Sequence, residues 1–190
     1  MPHGVSLLTN LELLDLSSNG FHNIDVDFSG MTRLNSLIIQ DGLVGLAEIE
    51  QENQKPMVLS ETISALHSLT KLDLRCSMLL ELPTEIGQLH NLETLDLSGC
   101  MLTALPVSIS KLAKLKTLQA QSNQLTEIVQ DVGEMRSLTD LNLYNNDISS
   151  IPDSICTLPQ LCKLFLSPDF HVATPIGFDA FIASNTVKYD

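Results

Sequence analysis

The sequence predicts an α/β fold: a solenoid with a curved parallel β-sheet on its concave face and turns and short helical or 3-10 segments on its convex face. Leucine recurs at a fixed interval, and apolar residues alternate with polar ones around each recurrence. The recurring column is Leu14, Leu37, Leu72, Leu95, Leu118, Leu141 and Leu164, and every step but one is 23 residues. One unit of this length cannot bury its leucines alone, so stacked units share one core. The 190 residues are therefore predicted to form a single domain, 1–190.

Each copy of the column lies in a predicted strand. In the run Leu-Asp-Leu at 95–97, alternation directs Leu95 and Leu97 into the core and Asp96 outward. Neighbouring copies then pair in parallel at about 4.8 Å. The leucines stack into a continuous core, and the residues between them form the concave surface.

A second column predicts the turn that leaves each strand. Asn19, Asn123 and Asn146 stand five residues after their leading leucine, where a side-chain amide satisfies backbone groups of a turn. Cys100 occupies the same column. A structural role is therefore predicted for Cys100 in preference to a reactive thiol.

Proline marks the turn onto the convex face, because its fixed φ suits a turn that needs no amide donor. The column is Pro83, Pro106, Pro152 and Pro175. At the C-terminal end, Phe178 and Phe181 replace the Ile and Leu that stand one period earlier. The region from about 164 to 190 is thus predicted to be a half-repeat that caps the solenoid.

The exceptional step, from Leu37 to Leu72, is 35 residues, which is 12 more than the period of 23. The excess falls at about 43–58, a segment that carries Glu48, Glu50 and Glu52 and is predicted to be an exposed loop. Two interpretations stay open. The segment is either a tolerated surface insertion, since long loops cost little closure entropy, or an acidic protrusion that attracts a basic partner surface.

The stretch "LPTEIGQLHNLETLDLSGCMLTALP" (82 to 106) resembles the leucine-rich repeat. Its Leu-Pro-x-x-Ile-x-x-Leu-x-x-Leu form and 23-residue period are similar to the intracellular class found in Scribble- and Erbin-type scaffolds and Ras-group repeat proteins. Similar repeats occur in bacterial effectors and beside the GTPase or kinase domains of Roco proteins. The resemblance implies the solenoid fold and a role in scaffolding or signalling through protein binding.

Charge and cysteine usage exclude several partners. The net charge of −13 disfavours nucleic acid and anionic membrane, because binding to phosphates needs clustered Lys and Arg. The sequence contains no membrane-length apolar run and no signal peptide. Four scattered cysteines and the absence of a glycosylation acceptor favour a reducing, cytoplasmic setting.

The sequence contains no recognisable catalytic motif. It has no phosphate-binding glycine loop, no His-Glu-x-x-His and no close cluster of metal-ligating residues. His67 and His90 stand one period apart, but two ligands rarely hold a metal ion. We therefore expect no enzyme activity, no metal and no cofactor.

Binding is predicted on the concave face, in two outward columns. The first is Asp15, Ile38, Asp73, Asp96, Gln119, Asn142 and Phe165; the second is Ser17, Gln40, Arg75, Ser98, Gln121, Tyr144 and Ser167. Tyr144 and Phe165 are predicted anchors, and Arg75 is predicted to orient a partner. The candidate partner-binding residues are Asp73, Arg75, Asp96, Gln119, Gln121, Asn142, Tyr144 and Phe165.

Two functions compete. The first is a non-catalytic module that docks a protein partner on the concave face. The second is a regulatory or sensing repeat segment of a larger multidomain protein, linked to a GTPase or kinase, or of an immune receptor or bacterial effector. Pro2 stands 12 residues before Leu14, so the chain begins in mid-repeat, which favours the second.

Overall fold

The computed structural model describes residues 5–19, 26–40, 56–167, 173–184 and 186–188. In these ranges the chain forms one sheet of eight strands, all parallel and arranged in the order of the sequence. The strands are β1 (Leu13–Asp15), β2 (Ser36–Ile38), β3 (Lys71–Asp73), β4 (Thr94–Asp96), β5 (Thr117–Gln119), β6 (Asp140–Asn142), β7 (Lys163–Phe165) and β8 (Thr186–Lys188). This is the predicted solenoid sheet.

The register of the sheet confirms the leucine column. Leu72 lies opposite Leu95, and Leu95 opposite Leu118, with the same alignment along the whole sheet. Leu37 lies opposite Leu72 despite the longer step between them. The extra residues are therefore absorbed outside the strands, although most of the insertion, with Glu48, Glu50 and Glu52, lies outside the described residues.

The core confirms the predicted alternation of inward and outward residues. Leu95 and Leu97 are fully buried, whereas Asp96 between them is half-buried. The strands β4, β5 and β6 share this pattern, with only the central leucine of each buried. Stacked leucines thus hold the sheet to the convex side through one continuous core.

Short 3-10 helices cover the convex side of the described repeats. They span Val5–Leu7, Glu61–Ala65, Thr84–Gln88, Val107–Lys111, Val132–Glu134 and Asp153–Thr157. Pro83, Pro106 and Pro152 directly precede three of them with φ of −64°, −65° and −70°, which proline favours. Gly87 permits close stacking, because a Cβ there would lie 2.4 Å from the carbonyl oxygen of Ser108.

The asparagine column forms the predicted hydrogen bonds and links successive repeats. Asn123 Nδ2 donates to the carbonyl oxygens of Leu97 (2.9 Å) and Ala120 (3.0 Å), and its Oδ1 accepts from Leu102 N at 3.0 Å. Cys100 makes the equivalent bond to the preceding repeat, from its Sγ to the Leu74 carbonyl oxygen at 3.2 Å. Burial raises the pKa of the Cys100 thiol, which suits a structural role.

The repeat continues one strand beyond the last leucine of the column. In β8, Val187 lies opposite Leu164, one full period later. The α-helix α1 (Phe178–Ser184) takes the convex position, and the rings of Phe178 and Phe181 stack with their centroids 6.1 Å apart. Both rings are buried, so the predicted aromatic filling is present. Within the described parts of the chain, no helix is long and apolar enough to cross a membrane.

Candidate binding surface

Three outward columns, not two, make up the concave face. The residue directly before each central leucine also points outward, because alternation along a strand places both of its neighbours on the same face. This third column is Leu13, Ser36, Lys71, Thr94, Thr117, Asp140 and Lys163. The same alternation along each strand, which places the residue after the central leucine on the concave face, also predicts that the residue before it lies there.

The predicted site residues of β3 form a closed polar cluster. Asp73 Oδ2 accepts hydrogen bonds from Arg75 Nη2 at 2.9 Å and from Gln40 Nε2 at 3.0 Å. Asp73 is only 1% exposed, whereas Arg75 is exposed. The face therefore presents the guanidinium of Arg75 and not the carboxylate of Asp73. Asp73 is one of the predicted partner-binding residues, and in the structure its carboxylate is shielded from solvent and holds Arg75 in place.

Asp96, Gln119 and Asn142 continue the same column across β4, β5 and β6. Asp96 accepts a hydrogen bond from Ser98 N at 3.0 Å, which fixes its carboxylate against its own strand end. Asn142 Nδ2 donates to Gln119 Oε1 at 3.1 Å, and Asn142 Oδ1 accepts from Tyr144 N at 3.1 Å. These bonds order the polar centre of the face before any partner arrives, which lowers the entropy cost of binding.

Aromatic side chains mark the C-terminal half of the face. Tyr144 is 41% exposed and Phe165, on the adjacent strand β7, is half-buried. Beside them, Gln121 Oε1 is buried without a hydrogen-bond partner in the described part of the chain. Large, partly exposed aromatic rings next to ordered polar groups are typical of interface anchors.

An ion pair in the third column lies next to these aromatic residues. Lys163 Nζ lies 2.5 Å from Asp140 Oδ1 and bridges β6 and β7. Burial raises the pKa of Asp140, but hydrogen bonds from Lys163 and Thr139 and the charge of Lys163 outweigh it and hold the pKa below its usual range. The pair is therefore ionised near neutral pH.

The described residues contain no group of three or more His, Cys, Asp or Glu side chains that could hold a metal ion. His67 and His90 are both exposed on the convex side. The arrangement offers shape, aromatic anchors and fixed hydrogen-bonding groups. It is suited to binding.

Comparisons with known proteins agree with this architecture. The profile of a family described as leucine-rich repeat region matches residues 44–165, and a profile of the leucine-rich repeat matches residues 10–31. No curated protein matches the sequence by direct comparison.

Solved structures of low sequence identity share the fold. The Arabidopsis receptor kinase HAESA, solved with the peptide hormone IDA and the co-receptor SERK1, is 23% identical with a TM-score of 0.73, and the match covers 90% of this chain and 28% of that one. Internalin C2 of Listeria monocytogenes is 17% identical with a TM-score of 0.65, covering 94% and 80%. A leucine-rich repeat protein of Leptospira interrogans is 21% identical with a TM-score of 0.57, covering 97% and 56%.

At these identities the similarity to solved structures shows the fold alone. The chain also spans only 56% of the Leptospira protein and 28% of the receptor kinase, so it corresponds to part of each. The family profile, in contrast, matches more than half of the chain, and the strand register follows the same repeat. The chain belongs to the leucine-rich repeat family.

Proposed function

We propose that this chain is a non-catalytic protein-binding module that holds its partner on the concave face. The observation that carries the proposal is the pairing of Tyr144 and Phe165 with an ordered polar strip on β5 and β6. Leucine-rich repeat domains commonly serve as interaction modules, and HAESA, which shares the fold, was solved with a bound peptide hormone. The proposed partner is therefore a protein or peptide.

Truncating the aromatic anchors tests the concave face. Tyr144→Ala and Phe165→Ala are each expected to weaken partner binding by more than about 1 kcal/mol, because buried aromatic anchors carry interface energy. The partner is first captured from the source cell and identified by mass spectrometry, and its affinity is then measured by calorimetry. Tyr144→Phe is the matched control, since it keeps the ring and removes only the hydroxyl.

Substitutions on the convex side complete the test. Lys111 and Lys114 lie at or after the end of a convex 3-10 helix, and we expect Lys111→Ala and Lys114→Ala to leave the affinity unchanged. If the affinity is unchanged by both aromatic truncations but falls in the lysine variants, the binding site lies on the convex side and the proposal is contradicted.

The alternative function is a sensing or regulatory repeat segment within a larger protein. The observation behind it is that HAESA, which shares the fold, is a receptor kinase. Sequencing the complete gene discriminates the two functions. A neighbouring GTPase, kinase or nucleotide-binding domain supports the alternative, and a short isolated reading frame supports the independent module.

The proposed setting is the cytoplasm, and the proposed subclass is the intracellular 23-residue type of Scribble- and Erbin-like scaffolds. The regular period and the Leu-Pro form of the repeat support the subclass. Four cysteines without paired spacing support a reducing compartment. Fractionation of the source cell tests the location, and recovery from a secreted fraction would contradict it.

A basic surface on the partner is proposed from the acidic insertion. Replacing Glu48, Glu50 and Glu52 together with glutamine is expected to slow association and to reduce its salt dependence, because long-range attraction speeds encounter. Stopped-flow association at low and high salt measures both effects. The matched control neutralises three exposed acids in another repeat: Glu127→Gln, Asp131→Asn and Glu134→Gln. Equal effects from both triple variants would show that only net charge matters, and no effect from either would make the insertion a tolerated loop.

A further inference from the structure

Two adjoining grooves lie between the strands and the convex 3-10 helices, and they reach the first residues of the helices Glu61–Ala65 and Thr84–Gln88. The candidate concave residues do not line them. Their volumes are about 440 Å³ and 380 Å³. Val58 and Glu81 line both of them, so they form one continuous depression, which we call the edge groove.

The backbone beneath the edge groove is held by hydrogen bonds between successive repeats. Met57 N donates to the Met78 carbonyl oxygen at 3.2 Å, Met101 N to the Leu79 carbonyl oxygen at 3.0 Å, and Gln124 N to the Leu102 carbonyl oxygen at 2.9 Å. The groove thus crosses four repeats. At about 4.8 Å per repeat it is about 14 Å long, the length of about four extended residues. It is preformed and does not need to be ordered by a ligand.

Apolar side chains line the larger part of the edge groove. Val58 is 60% exposed and Leu80 is 44% exposed, and Pro56 and Met101 lie beside them. Single exposed apolar residues are ordinary, but a contiguous apolar strip in a concave depression marks a binding site.

The charges around the strip select the kind of ligand. Glu61, Glu81 and Glu85 line the edge groove, and no Lys, Arg or His lines either part of it. None of these three glutamates forms an ion pair in the described part of the chain. None belongs to a cluster there that could hold a metal ion. These carboxylates are spaced along an apolar strip. They complement a ligand in which positively charged groups are spaced along the chain with apolar groups between them.

Other occupants fit less well. Residues 43–54 of the chain itself carry Glu48, Glu50 and Glu52 and no basic residue, so their charge opposes the glutamates of the groove. A second copy of the chain brings a net charge of −13. Nucleic acid is also disfavoured, because its phosphates are repelled by the glutamates of the groove.

We propose that the edge groove binds an extended, basic segment of another polypeptide, with apolar side chains against Val58 and Leu80 and Lys or Arg side chains against Glu61, Glu81 and Glu85. This is a second binding surface, and it does not depend on the proposed function of the concave face.

The test uses a short fluorescein-labelled synthetic peptide of alternating leucine and arginine, with binding to the full chain followed by fluorescence anisotropy. We expect Glu81→Lys to weaken binding about tenfold or more and Val58→Ser to weaken it severalfold, with the affinity falling as salt increases. Both residues are exposed, so the core is preserved, and circular dichroism melting confirms that each variant is folded. Companion peptides in which glutamate replaces arginine, or serine replaces leucine, are expected to bind much more weakly.

Matched controls exclude general attraction between a basic peptide and an acidic protein. Glu134→Lys makes the same charge change at an exposed convex site, and Val107→Ser removes a 65% exposed apolar side chain that lines neither part of the groove. Both are expected to leave the affinity within about twofold. Equal weakening by Glu81→Lys and Glu134→Lys would overturn the proposal in favour of non-specific attraction. Loss of peptide binding in Tyr144→Ala, with Glu81→Lys unaffected, would overturn it by placing the peptide on the concave face.

Discussion

Replacing Leu95 with alanine is expected to lower the free energy of unfolding by about 2 to 5 kcal/mol. Leu95 is fully buried and lies opposite Leu72 on one side and Leu118 on the other. The neighbouring strands are hydrogen-bonded in register, so they have little freedom to collapse into the cavity. Urea unfolding followed by circular dichroism measures the loss.

Asp96 provides the control for this prediction, because it is the next residue on the same strand and points to the concave face. Its carboxylate accepts bonds from Ser98 at a partly exposed turn, where water replaces them when the side chain is removed. Asp96→Ala is therefore expected to cost about 1 kcal/mol or less. Comparable losses in the two variants would contradict the assignment of inward and outward residues.

Replacing Asn123 with alanine is expected to destabilise the fold by more than about 2 kcal/mol. The side chain is buried and hydrogen-bonds to four backbone groups. Leu97 O and Leu102 N lie in the preceding repeat, and Ala120 O and Gln121 O lie in its own. Alanine would leave Leu97 O and Leu102 N buried without a partner, whereas Ala120 O keeps its bond from Asn146 Nδ2. Each unsatisfied buried group costs about 1 to 3 kcal/mol. The same urea unfolding experiment measures this loss.

Asn19 is the matched control for Asn123, since it stands in the same column and donates to the carbonyl oxygens of Leu16 and Ser17. Asn19 is exposed, so water can satisfy those carbonyls after substitution. We expect Asn19→Ala to cost less than half as much as Asn123→Ala. Equal costs would mean that the amide acts locally within its own turn and not as a link between buried repeats.

The register of the sheet was predictable because each repeat carries the same local information. A leucine at a constant interval leaves one alignment in which every large apolar side chain is buried, and a shift by one residue would expose all of them. The asparagine column was predictable for a similar reason. Its partners are backbone groups at fixed offsets along the chain, so Asn123 and Asn146 make the same bonds in successive repeats.

The candidate site was less predictable, because it depends on which outward side chains meet. The sequence places Asp73 on the concave face, but only the packing of Arg75 and Gln40 across neighbouring strands shows that its carboxylate is closed off. The ion pair of Lys163 with Asp140 joins residues 23 positions apart, and its residues were not among the predicted candidates. Contacts of this kind depend on rotamers as well as on spacing.

The sequence by itself determined the repeat, the parallel sheet, the buried leucines and the role of the asparagine column, since each follows from periodicity and from the need to bury apolar groups and satisfy backbone ones. Only the tertiary structure decided that β8, with Val187 in the leucine column, extends the sheet. It also decided that Asp73 is buried and that Val58, Leu80 and Glu81 line one groove. These features arise between repeats, where side chains of different copies come together. A periodic pattern specifies how copies stack, but the particular residues that vary from copy to copy decide what the stacked surface presents.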